Sequence, residues 1–318
     1  MVGGGKWVFY EVMKKYARKK EIPAAFSSLS EARDSLVFHW HMVSYSINDI
    51  WDPTNEKLTT VLAAWKKKSM SILERWASAF EAFQSTRGKD MTETEKQGAA
   101  VLCILKELGS SSMLLTRTLV DDQTKWDGFY ETFLKIVSLA EGVVERDLKS
   151  THGRPTFCID MAIVAPLFEV ACRCRDPIIR RRAISVLQDC GRTEGVWNAF
   201  LTAKVAQRVV EIEEAGLMNV RSCEDVPDWA RISSVSPLFD PISRKATLTY
   251  SRVLEHEGPL MASEQKQSGI PGQNGRCQAD GQEIADGSPM EMLVDSSSGR
   301  QYALPRFRRQ TIEEVIEW

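Results

Sequence analysis

Residues 58–83 read LTTVLAAWKKKSMSILERWASAFEAF. Leu58, Val61, Leu62, Trp65, Ile72, Leu73, Trp76, Phe80 and Phe83 fall within about a third of a helical wheel, while Lys66, Lys67, Glu74 and Arg75 point elsewhere. A stripe of that width and length has to be buried against other elements. The stretch therefore predicts a long amphipathic helix in a helical core, and its aromatic side chains read as helix-on-helix packing or the lining of a ligand pocket.

The same period recurs on both sides. Trp126, Phe129, Tyr130, Phe133, Val137, Ala140 and Val144 form a second stripe. Ser28-Leu29-Ser30-Glu31 and Thr92-Glu93-Thr94-Glu95 are capping boxes, preceding helices over Ala32 to about Ile47 and Lys96 to Leu108. Asp176-Pro177 opens another helix, with Asp as N-cap and Pro where no N–H is needed; Ile179, Ala183, Val186 and Leu187 share its face and Gly191 is placed to end it. A further helix is expected from near Glu194 through Trp197, Leu201, Val205 and Val209 to Glu214, with Gly216 beyond.

After Gly216 the pattern changes. Asp225-Val226-Pro227-Asp228-Trp229 reads as a turn, and Val235–Phe239 and Lys245–Val253 read as two strands joined by Asp240-Pro241-Ile242-Ser243. From Glu255 the chain is poor in aromatics and rich in Gly, Gln, Ser and Asp, too polar to offset its ordering entropy. The expected architecture is all-α: packed antiparallel helices over 1–216, a turn and β-hairpin over 217–254, a disordered linker over 255–301 and an amphipathic segment over 302–318. Read as a helix, Thr311–Trp318 gathers Ile312, Val315 and Ile316 on one face, either for a partner's groove or for docking onto its own domain.

Composition narrows the function. The net charge of −2 argues against a surface built to grip nucleic acid throughout. No run of roughly 18 apolar residues suggests a membrane span, and no apolar stretch of signal-peptide length opens the chain. The seven cysteines (Cys103, Cys158, Cys172, Cys174, Cys190, Cys223 and Cys277) are odd in number and irregular in spacing, which suits reduced, buried thiols.

Chemical motifs are scarce. Gly3-Gly4-Gly5-Lys6 lacks the other parts of a P-loop. His39 and His41, two apart on a helix, diverge by about 200° and cannot share a metal; one should be half-buried and one exposed. The thiols of Cys172-Arg173-Cys174 diverge likewise, and His152 has no evident partner. Asp121-Asp122 lacks the third acid of a diphosphate–Mg²⁺ motif, since Lys125 stands there. Lys14-Lys15-Tyr16-Ala17-Arg18-Lys19-Lys20 is either a nuclear localisation signal or phosphate patch, or a solvated helix end. Arg180-Arg181-Arg182 offers a weak nucleic-acid signal, with Arg181 expected to face solvent or an acidic neighbour. No catalytic, cofactor-binding or metal-ligating residue is assigned.

One ordered set of motifs does stand out. Pro166 to Ile184 contains Cys174-Arg175-Asp176-Pro177 between an apolar helix and an arginine-rich one. Arg192-Thr193-Glu194-Gly195-Val196-Trp197, Val226-Pro227-Asp228-Trp229-Ala230-Arg231, and Phe239-Asp240-Pro241 with Leu248-Thr249-Tyr250 follow in order; Phe26 to Arg33 precedes them. This order resembles the C-terminal regulatory region of fungal zinc-cluster transcription factors, from roughly Phe26 to Arg252, with an echo at Thr311 to Trp318. The resemblance implies a nuclear transcription-regulatory domain working through protein contacts. That family's DNA-binding module needs two C-x-x-C-x₆-C halves, and this sequence holds no C-x-x-C. The expectation is a truncated gene product, a regulator fragment or a protein that relies on a DNA-binding partner, with no zinc, no cofactor and no sequence-specific DNA binding of its own. The rival expectations are a helical interaction scaffold without a transcription role and a helical enzyme.

Overall fold

The computed structural model describes residues 21–50, 57–115, 122–151, 155–158, 160–240, 245–255, 292–294, 301–303 and 308–317. Among them are seven α-helices: α1 Leu29–Ile50, α2 Leu58–Arg87, α3 Glu93–Leu115, α4 Tyr130–Thr151, α5 Val164–Arg173, α6 Pro177–Asp189 and α7 Ala199–Glu214. A small sheet has the order β1 Thr156–Cys158, β2 Arg192–Glu194, β3 Trp197–Asn198. A C-terminal antiparallel sheet has the order β4 Ile232–Asp240, β5 Lys245–Glu255, β8 Arg308–Glu317. The fold is thus mainly helical with a small C-terminal sheet, as the periodicities predict.

The helices start where the caps stand. Thr92 and Glu95 close a reciprocal box, Thr92 N–H donating to Glu95 Oε2 (2.8 Å) and Glu95 N–H to Thr92 Oγ1 (3.2 Å). At α1 the hydroxyl of Ser28 accepts from Glu31 N–H (3.2 Å), but the Glu31 carboxylate reaches one residue further, to Ser27 N–H (2.7 Å). Asp176 accepts from the N–H groups of Ile178 and Ile179 (3.1 and 2.9 Å), leaving Pro177 in the first turn.

Two main apolar clusters share α3. Leu73, Trp76, Phe80 and Phe83 of α2 pack with Leu36 and Val43 of α1 and with Ala99, Leu102 and Met113 of α3. Ile104, also on α3, belongs to the larger cluster built from α4, α5, α6, α7 and the inner face of the C-terminal sheet. By length and composition alone α3 could cross a membrane; here it lies between the two cores, and its Glu107 accepts from Lys135 of α4 (2.6 Å). The Trp40 ring of α1 lies against Gly109, where a Cβ would overlap it.

The structure departs from the sequence expectations in four places. Glu194 and Trp197 do not open a helix. They sit on β2 and β3, joined by a two-residue turn with Gly195 at φ +56°, and α7 starts only at Ala199, capped by Asn198 accepting from Leu201 N–H (3.1 Å). The stripe from Trp126 begins as a 3₁₀ turn, Gln123–Phe129, in which Asp127 is held by Arg231, and the α-helix starts at Tyr130. Cys174 lies just past α5 in extended backbone, so the two thiols do not share a helix.

The fourth departure is the C-terminus. Thr311–Glu317 is not a helix; it is part of β8, paired antiparallel with β5 so that Ile312 faces Tyr250 and Ile316 faces Ala246. The hairpin expected from β4 and β5 is therefore three-stranded. Ile312, Glu314 and Ile316 are half-buried and Thr311, Glu313, Val315 and Glu317 exposed, a period of two. Met292–Val294 (β6), inside the stretch expected to stay disordered over 255–301, pairs its backbone with Gln301–Ala303 (β7), which runs from the end of that stretch into the segment expected over 302–318; the rest of 256–300 lies outside the described residues.

Candidate functional site

The motif residues converge on three buried polar clusters, each closing the end of an element that has no partner for its backbone. The first lies between α5, α6, α7 and the start of β4. Arg175, Arg180 and Glu213 are all buried. Arg175 Nη2 donates to Glu213 Oε1 (2.6 Å), and Arg180 Nη2 donates to Glu213 Oε2. Further hydrogen bonds go to the backbone, while Arg180 Nη1 is buried without a partner among the described residues. Arg175 reaches the carbonyls of Arg173 (2.8 Å) and Ile232 (3.1 Å), Arg180 that of Ala171 (2.7 Å), and Glu213 accepts from Ile232 N–H (2.9 Å). Burial alone would push the Glu213 carboxyl up; Arg180 and Arg175 beside it outweigh that and hold it below the ordinary carboxylate range.

The second cluster is the Arg192–Trp197 motif. α5 begins without a side-chain cap of its own. Glu194, entering from β2, supplies one: its Oε2 accepts from the N–H groups of Ala162 (2.8 Å), Ile163 (3.0 Å) and Val164 (3.0 Å). Arg192 braces it, with Nε on Glu194 Oε1 (3.1 Å) and Nη1 on Asp147 of α4. Trp197 packs its ring against Phe168 of α5, centroids 5.4 Å apart. The turn between them needs the positive φ that Gly195 provides.

The third cluster is Arg231. Its guanidinium takes both oxygens of Asp127 (2.8 Å each) and the carbonyls of Gln123 (3.1 Å) and Cys223 (2.7 Å), and its Nε takes that of Val226 (2.7 Å). One side chain thus ties the 222–230 loop to the 3₁₀ turn ahead of α4. Arg173 adds a contact on the same side, its guanidinium 4.3 Å from the centre of the Trp126 ring.

The other sequence candidates fall apart from one another. The three consecutive arginines are all engaged: Arg180 with Glu213, Arg181 with Glu214 (2.6 Å) and Arg182 with Glu141 (2.7 Å). They do not form a free cationic patch for phosphate. His39 is half-buried edge-on to Phe38 and His41 is exposed near Tyr45. Burial pushes the Cys172 thiol strongly up and that of Cys174 up to about 12, which keeps both protonated. Asp122 caps the 3₁₀ turn by accepting from Thr124 N–H (3.0 Å). Gly3–Lys6, Lys14–Lys20, Asp121 and His152 lie outside the described residues.

Among the described residues, no three His, Cys, Asp or Glu side chains gather as metal ligands. A shallow groove of about 440 Å³ lies between α2, α3 and α4, with Met91, Ala99, Cys103, Leu139 and Gly142 on its walls. Its rim cations, Lys96 and Arg146, both face Glu93 (2.7 and 3.6 Å). Burial raises the Cys103 thiol, so the groove brings no activated nucleophile.

The chain is similar to the Aspercryptin biosynthesis cluster-specific transcription regulator atnN of Emericella nidulans, with 31% identity over 106 residues. That alignment takes in 32% of this chain and 17% of the regulator, so the chain corresponds to a minor part of that protein's length. No family profile matches the chain, and no solved structure matches it. The likeness suggests a related regulatory domain and supports a regulatory role in this coarse sense.

Sequence reading picked out Arg175, Asp176, Arg192, Glu194 and Arg231 as motif members without giving them these roles. It missed Glu213 and Asp127. Glu213 did carry a signal: Val205, Val209 and Glu213 recur every four residues, which places a carboxylate on the apolar stripe of α7. Asp127, between Trp126 and Gly128, carried none.

Proposed function

We propose that this chain is a transcription-regulatory domain that works in the nucleus through protein contacts, on DNA held by a partner. The single observation that carries the reading is the 31% identity to a fungal transcription regulator. The structure is consistent with it in two respects. The charged motif residues are spent on holding helix ends together, and each arginine of the triplet is ion-paired within the protein. Neither arrangement supplies acid–base chemistry or a phosphate-binding face, so the reading rests on surfaces and not on a reaction centre. The relative's name speaks of one biosynthesis cluster; nothing about the genes controlled is carried over from it.

The test is a fusion of the full chain to an unrelated DNA-binding domain, assayed on a reporter in fungal cells alongside the location of the unfused chain. The proposal expects a nuclear chain and reporter output at least severalfold above or below that of the DNA-binding domain alone. A folded fusion that binds its site and leaves output unchanged counts against the proposal. Exclusion of the unfused chain from nuclei would favour a helical interaction scaffold without a transcription role.

A further inference from the structure

The C-terminal sheet holds its three strands unequally. β4 is tied into the buried polar core by its backbone: Ile232 N–H donates to Glu213 (2.9 Å) and the Ile232 carbonyl accepts from Arg175 (3.1 Å). β5 carries the sheet's share of the apolar core, with Ala246, Leu248 and Tyr250 buried. β8 is held less deeply. Its inward side chains Ile312 and Ile316 are half-buried against that core. Glu314 between them accepts from Arg208 of α7 through both oxygens (2.8 and 3.2 Å), and near the strand's end Glu317 faces Lys245 (2.5 Å). β8 also returns from far along the chain. Glu255 and Arg308 are register partners that a turn of about two to five residues could join, yet the chain passes through 256–307 between them.

We propose that the groove β8 fills, between the edge of β5 and α7, is a binding site for an extended acidic segment of a partner protein, and that β8 occupies it as the chain's own stand-in for that segment. The inference rests on, and deepens, the reading of a domain that works through protein contacts. The groove sets the chemistry of its occupant in three ways. The edge of β5 pairs without a break from Lys245 to Val253, so it takes an antiparallel strand. Tyr250 opposes Ile312 and Ala246 opposes Ile316, so the inward residues four apart are apolar and suit β-branched side chains. Arg208 stands between those two positions and Lys245 at the end of the groove, so the central inward residue is a carboxylate and the segment finishes on another. The groove outlasts the strand that fills it. Arg208 keeps Glu211 (3.0 Å) when Glu314 leaves, and the Arg175–Glu213–Ile232 cluster that anchors the sheet includes no residue of β8. A tethered strand competes at an effective concentration that falls with the length of its connection. The long path through 256–307 therefore makes β8 easier to displace than a strand closed by a tight turn.

Fluorescence anisotropy with the full chain and a labelled peptide of residues 310–317 tests this. In the parent β8 masks the groove, so the peptide should bind weakly. Glu314→Lys in the chain sets two cations together and loosens its own strand. It should tighten binding of the native peptide by roughly tenfold or more, because the open groove becomes more populated. A peptide carrying Glu314→Lys should bind neither of these chains. Arg208→Glu in the chain should reverse the preference, taking the Glu314→Lys peptide over the native one by roughly tenfold or more. Far-UV circular dichroism with the parent's helix content shows that the variants fold. If Glu314→Lys misfolds, Ile312→Ser, at a half-buried position of β8, should unmask the groove in its place. A folded Glu314→Lys or Ile312→Ser chain that gains no affinity for the native peptide overturns the proposal. So does binding that ignores the charge at position 314 of the peptide. Both readouts are independent of the reporter, so loss of the groove would leave the regulatory reading standing.

Discussion

Replacing Glu213 by Gln removes one negative charge from a buried set of two guanidiniums and one carboxylate. The two arginines then face each other without a counter-ion, and the Gln amide offers N–H donors where Arg175 and Arg180 need acceptors. Breaking a buried pair by deleting one partner costs about 3–5 kcal/mol. Here the loss falls on two cations, so the upper end is expected, against a total stability of about 5–15 kcal/mol. At about 2–4 °C per kcal/mol the thermal midpoint should drop by roughly 10–20 °C. Arg180→Met should cost less, because it leaves a neutral Arg175–Glu213 pair and exposes chiefly the Ala171 carbonyl, a loss of about 1–3 kcal/mol. The carboxyl also gives the effect a pH signature. Glu213 is held below its unfolded value, so its contribution is fully present above about pH 4.3 and is lost as pH falls through the lower folded value. Urea unfolding of both proteins between pH 7 and pH 3 should therefore show a gap between parent and Glu213→Gln that is widest at neutral pH and narrows in acid. A gap below about 1 kcal/mol at pH 7, or one that stays constant into acid, would refute the reasoning.

Three further outcomes follow from the packing. Ile179→Asp places an unpaired carboxylate on the buried face of α6 and should lower stability by about 3–5 kcal/mol, whereas Arg181→Ala removes only an exposed pair and should change it by less than about 1 kcal/mol in urea titrations. Gly109→Ala forces a Cβ into the Trp40 ring and should cost about 1–3 kcal/mol by the same assay, with a blunted tryptophan fluorescence change if the ring swings out. At pH 8, mass spectrometry after brief alkylation of the folded chain should find Cys172 and Cys174 unmodified until denaturant is added, because burial holds both thiols protonated.

The helices were legible because their stripes are long. On α2, nine apolar positions over 26 residues leave no alternative period, and the capping residues of α1, α3 and α6 mark starts that propensity alone blurs. The C-terminal strand was misread for the opposite reason. Thr311–Glu317 is too short to separate a period of 3.6 from a period of two, since Ile312, Val315 and Ile316 suit a helix and Ile312, Glu314 and Ile316 suit a strand. What decides is tertiary: β5 presents an open edge, Arg208 lies within reach of Glu314, and the β-branched content of Thr311, Ile312, Val315 and Ile316 favours the extended form. Glu194 was misread similarly. It sits before a helical pattern and resembles an N-terminal acid, but the helix it caps is α5, some thirty residues earlier in the chain.

The candidate site was harder to read than the fold because its residues look functional from the sequence and act structurally. The arginine triplet offers a nucleic-acid signal in the sequence, and only the three-dimensional arrangement shows that each of its members is ion-paired within the protein. Glu194 has both carboxylate oxygens occupied, by three backbone N–H groups and Arg192. Arg231 directs its guanidinium to two carboxylate oxygens and three carbonyls. Side chains saturated in this way cannot bind a ligand without first giving up the contacts that hold α5 or the 222–230 loop in place.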